Sequence, residues 1–177
     1  MSEKSLEKLR ALLKGYAERT GAGAGAGAGT GTTAGGGGGP VKPAHDESER
    51  RRRTCGERLQ KVVRPVLDRV VGELTNAGHE AAIEDQSTTA GAYPSMELAF
   101  TPRSPGGGGT ALTSVLTFRC DPRRGIAVGR DIKPSPAKGR VVTTSSDRIG
   151  TMKVEAISVE WVETKTLSFI EAVLKVN

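Results

Sequence analysis

The sequence predicts an α+β domain: an antiparallel sheet of four to six short strands with two helices packed on one face, plus a tethered N-terminal amphipathic helix. Three observations carry this. A wide apolar stripe of helical period runs from Leu59 to Leu74. The hydrophobic period then changes to two over residues 81–132. A second helical pattern closes the chain from Ser158 onward.

Residues 2–20 form the first element. Leu6, Leu9, Leu13 and Tyr16 recur at spacings of three and four, with Leu12 beside them, so they share one stripe. Ser2 or Ser5 supplies the N-cap, and Gly21 the stop. A helix this short is marginal in water unless its stripe is covered. The stretch "GAGAGAGAGTGTTAGGGGG" at 21–39 has too little side chain to offset the entropy of ordering it. Residues 21–46 are therefore expected to be a flexible Gly/Ala-rich linker with an r.m.s. span of roughly 25 Å. Docking back needs no such length, so Leu6, Leu9, Leu13 and Tyr16 are expected to bind a protein partner or a second copy.

Residues 47–177 are expected to form the compact body. In "HDESERRRRTCGERLQKVVRPVLDRVVGELTNAGHE", the side chains Leu59, Val62, Val63, Val66, Leu67, Val70, Val71 and Leu74 make the apolar stripe. Pro65 predicts a kink, or a helix restarted at a first-turn proline. Gly78 fits a left-handed cap.

Ala81 and Ile83 begin the alternation. Met96, Leu98 and Phe100 then face one side of "SMELAFT". In the next strand Leu112, Leu116, Phe118 and Cys120 face inward, and "DPRRG" turns the chain into "GIAVGRDIK". "RVVTTSS" reads as a further strand, and "GTMKVEAI" alternates more weakly. The uncovered face is predicted to carry Glu97, Ala99, Thr101, Thr113, Val115, Thr117, Arg119, Ala127, Gly129 and Asp131. Arg130 falls on the inward side, and Gly129 before it is a bulge signal. Val159, Val162, Phe169, Ile170, Val173 and Leu174 fit a last helix capped by Ser158.

Composition narrows the functions. No apolar run approaches the ~18–20 residues that span a bilayer, and the charged N-terminal segment lacks an apolar h-region. Cys55 and Cys120 stand at no metal-ligand spacing, so free thiols and a cytoplasmic location are expected. "GAGAGA" matches a loose dinucleotide fingerprint, but a helix rather than a strand precedes it. His45 sits in the linker, and His79 just after a helix cap suits a backbone partner better than catalysis. The cluster of His45, Asp46, Glu47 and Glu49 has no recognised ligand spacing. No catalytic, cofactor or metal residues are therefore assigned.

The formal charge is +6, and the densest basic run begins with four consecutive arginines, with Asp46, Glu47, Glu49 and Glu57 in and beside it. Arg50, Arg51, Arg52, Arg53, Arg58, Lys61 and Arg64 form a candidate polyanion site, nucleic acid included. No aromatic interleaves them in the sequence, so base stacking is not expected. The expected function is a non-enzymatic binding or adaptor protein that engages protein partners through the domain and the tethered helix. The alternatives are a basic accessory protein on a polyanion, and a small-ligand domain or minor enzyme with a pocket between sheet and helices.

Overall fold

The computed structural model describes residues 1–20, 43–89, 93–103, 112–121, 123–134 and 145–177. Helix α1 (Glu3–Thr20) comes first, and α2 (Pro43–Arg58) runs through a π turn (Leu59–Val63) into α3 (Arg64–Asn76). Five strands follow: β1 (Glu80–Asp85), β2 (Ser95–Thr101), β3 (Ser114–Asp121), β4 (Gly125–Ile132) and β5 (Ser145–Met152). A 3-10 turn (Val154–Ala156) leads into α4 (Val159–Val176). The linker's Gly/Ala stretch and most of "RVVTTSS" lie outside the described residues.

The strands pair in sequence order as an antiparallel meander. Ile83 opposes Leu98, Leu98 opposes Leu116, and Phe118 opposes Val128, so one face is an apolar layer interrupted where Arg130 stands opposite Leu116. That layer packs against α3 and α4. The opposite face carries the small and polar residues predicted for it, with Thr117 Oγ1 donating to Glu97 Oε1 at 3.2 Å.

Pro65 sets the shape of the long helix. It has no N–H to donate to the carbonyl four residues back, and its ring crowds that carbonyl. The preceding turn widens instead, and the Arg64 N–H donates to Leu59 O, a five-residue step. α3 is then capped by Gly78, just past its end, with φ of 81°. His79 N–H bonds Leu74 O and Gly78 N–H bonds Thr75 O, the paired bonds of a Schellman cap. Ser158 Oγ accepts from Trp161 N–H at 3.2 Å and caps α4 as predicted.

At the β3–β4 turn, Asp121 Oδ1 accepts from the Arg123 and Arg124 amides at 3.0 and 3.2 Å. Gly125 closes the turn at φ of 99°, where a Cβ would run into Met152 O. A bulge does fall beside Gly129, but the extra residue is Ile149 on β5. Arg130 keeps its place opposite Leu116 and makes a two-pronged pair with Asp147, at 2.7 and 2.8 Å.

Two expectations are corrected. The α1 stripe is covered by the chain itself: Leu9, Leu13 and Tyr16 are buried, Leu6 and Leu12 half-buried, against α3 and α4. Burying that stripe removes the apolar surface that a partner was expected to cover. Polar contacts hold the helix at intervals. Ser2 Oγ and Ser5 Oγ donate to Glu163 Oε2 at 2.8 and 2.5 Å, and Arg10 pairs with Glu73. Tyr16 OH donates to Arg103 O at 2.9 Å. Burial alone would raise the Glu163 carboxyl, but the Ser5 and Ser2 bonds outweigh it and hold its pKa below the usual glutamate value. The second correction concerns the thiols: Cys55 and Cys120 are joined as a disulfide, with Cα atoms 6.3 Å apart, inside the bridgeable range.

Candidate functional site

Helix α2 stands as a ridge. Between residues 47 and 58 only Cys55 and Gly56 are buried. Four things hold it down. The disulfide ties it to β3. Gly56 packs so close to the following loop that a Cβ would lie 2.5 Å from Ser87 O. Arg58 donates to Ile157 O at 2.8 Å. Arg52 lies over the ring of Tyr93, its Cζ 5.0 Å from the centroid.

The helical period deals the four arginines onto two sides. Arg50 and Arg51 border a groove of about 910 Å³ that α2 forms with the β3–β4 turn and the 3-10 turn. Arg123, Arg124 and Lys153 reach the same groove from those two elements. Arg52 and Arg53 border a second groove of about 540 Å³ on the other flank, against Ser87, Thr88, Thr89 and Pro94.

Five cations line the larger groove against three carboxylates, Glu47, Asp121 and Glu155. Two of those carboxylates are engaged locally. Glu47 pairs with Arg51 at 2.6 Å. Asp121 accepts its own turn's amides and pairs with Arg148 at 3.2 Å. The Arg123 amide, then Arg148, hold the Asp121 pKa below the usual aspartate value. Among the described residues, Arg50, Arg53, Arg123, Arg124 and Lys153 have no ion pair.

Of the seven basic residues predicted from sequence, Arg50–Arg53 crown the ridge. Lys61 lies on the smaller groove beside Glu57, 4.0 Å away. Arg58 and Arg64 serve the fold instead: Arg58 binds backbone carbonyls, and Arg64 pairs with Asp68 and Asp85, both at 2.9 Å. Sequence reasoning missed Arg123, Arg124, Lys153 and Tyr93. Arg123 and Arg124 read as turn residues within "DPRRG", and no local pattern links any of the four to α2. No aromatic interleaves the arginines in the sequence, yet the fold brings Tyr93 to Arg52 from beyond β1.

His79 is a structural residue. It is 7% exposed, its Nδ1 accepts from the Arg103 amide at 3.0 Å, and Tyr16 and Phe100 flank its ring. Burial, with a smaller contribution from the Arg103 charge, lowers its pKa to about 4. Among the described residues, no group of three or more His, Cys, Asp or Glu is placed to hold a metal ion. No helix there is long and apolar enough to cross a membrane.

Comparison with protein-family models, with curated proteins and with solved structures finds no match.

Proposed function

We propose that this protein is a binding module for phosphate-bearing polyanions, and that the α2 ridge with the β3–β4 turn is its contact surface. One observation carries the reading: Arg50, Arg123, Arg124 and Lys153, none with an ion pair among the described residues, meet on one groove from three separate elements. Exposed cations without counter-charges neutralise phosphates and release condensed counterions. The adaptor reading has less support, because the stripe that was to bind a partner is buried on α3 and α4.

The experiment is heparin chromatography of the wild type and of Arg50→Ala/Arg53→Ala/Arg123→Ala/Arg124→Ala. Wild type elutes at elevated salt and the variant close to the void. Equal elution of the two overturns the assignment. The cytoplasmic expectation rested in part on free thiols, and with Cys55 bonded to Cys120 that part of its support is withdrawn.

A further inference from the structure

We propose that the polyanion is single-stranded nucleic acid, with Tyr93 and Arg52 as the platform on which a base stacks; this rests on the polyanion reading above. Phosphate contacts alone do not distinguish a duplex, a single strand, a sulfated sugar and an acidic peptide. The surroundings of Arg52 add something these contacts lack. Tyr93 is 36% exposed, large and aromatic, and sits directly under an arginine of the basic ridge.

Large exposed apolar side chains are few here: among the described residues only Tyr93, Val159 and Val176 qualify. Tyr93 is the aromatic one, and it lies at the ridge rather than elsewhere. A ring paired with a guanidinium offers two flat faces of the kind on which unpaired bases stack. Bases within a duplex are already stacked on one another and leave no π-face for Tyr93. Carboxylates of an acidic peptide have none either.

The neighbouring surface suits a nucleotide. Thr88 and Thr89 are exposed hydroxyls lining the same groove as Arg52 and Arg53. Gln60, which also lines it, is held by Asp85 and Ser87 through its amide nitrogen, at 2.5 and 2.6 Å. The groove volume of about 540 Å³ lies within the range of small-ligand clefts. A strand crossing the ridge would thus meet cations on both flanks and an aromatic ring beside Arg52.

The test is fluorescence anisotropy at fixed salt with a labelled oligothymidylate of about 20 nucleotides, longer than the usual site of a small single-strand binding domain. A duplex of equal length is the comparison, and poly-glutamate the competitor. Wild type should hold the single strand more tightly than the duplex. Tyr93→Ala should weaken the single strand about tenfold or more, as loss of one stacked base does. Tyr93→Phe should keep it, and both variants should elute from heparin with the wild type.

If Tyr93→Ala matches wild type on the single strand, if the duplex binds at least as tightly, or if poly-glutamate displaces the strand at equal charge, the single-strand assignment fails. In those cases the polyanion reading stands as long as heparin retention depends on the four arginines. If the full-length wild type binds neither heparin nor oligonucleotide, both fail. Melting curves of the two Tyr93 variants that overlay the wild type separate lost binding from lost folding.

Discussion

Cys55 of α2 is bonded to Cys120 of β3, so one covalent link lies directly beneath the basic ridge. Because Cys55 and Gly56 are the buried residues of α2 between 47 and 58, little else apolar secures that helix. Reduction is therefore expected to loosen α2 before it unfolds the sheet. Removing such a cross-link costs about 2–4 kcal/mol. Limited trypsin digestion should cleave at Arg50–Arg53 several times faster with reductant than without. Equal rates would show that the helix is held by other means.

His79 predicts an acid-sensitive fold. It is neutral when buried, with a pKa near 4, against 6.5 for the ordinary side chain. Below the ordinary value the unfolded chain binds a proton that the folded chain refuses, so stability falls as pH drops from 6.5 towards 4 and this contribution then levels off. At pH 5 the loss is about 2 kcal/mol. Urea unfolding at pH 7 and pH 5 measures it. In His79→Gln the difference between the two pH values should shrink by about that amount.

Leu9 has no exposed surface. Because α1 is part of the core, Leu9→Ala should cost about 2–5 kcal/mol, the usual range for a buried leucine. An independent arm would tolerate the change without any shift in the unfolding midpoint of the body.

Thr166 is fully buried in α4, and its hydroxyl has no hydrogen-bond partner among the described residues. Val keeps the shape and removes the stranded polar atom. Thr166→Val should therefore raise stability by about 1 kcal/mol. A fall in melting temperature would reveal a bond that the hydroxyl makes to solvent or elsewhere.

Where contacts are local or periodic, the sequence was legible. Met96, Leu98 and Phe100 alternate because one sheet face is covered, and all three are buried as that alternation requires. Gly78 and Gly125 marked the two positive-φ positions among the described residues, and Pro65 marked the break between α2 and α3.

What stayed hidden depends on distant partners. An amphipathic stripe shows that Leu9 and Tyr16 need a cover, but not that α3 and α4 supply it. Glu163 and Thr166 look like surface residues of the last helix, yet both are buried, while Val159, expected inward, is 42% exposed. Glu163 is tolerated only because serine hydroxyls arrive from the other end of the chain. Likewise 65 residues separate the bonded cysteines, and a whole strand separates Arg52 from Tyr93.

The way α1 is seated has a consequence for how the chain tolerates breakage. Its grip consists of the Leu9, Leu13 and Tyr16 packing and the bonds at Glu163, Glu73 and Arg103. These contacts reach α4, α3 and the segment after β2, so separating residues 1–20 from the rest would uncover apolar surface on two helices. A chain that lost this helix is thus expected to turn sticky, binding a hydrophobic dye that the intact chain excludes.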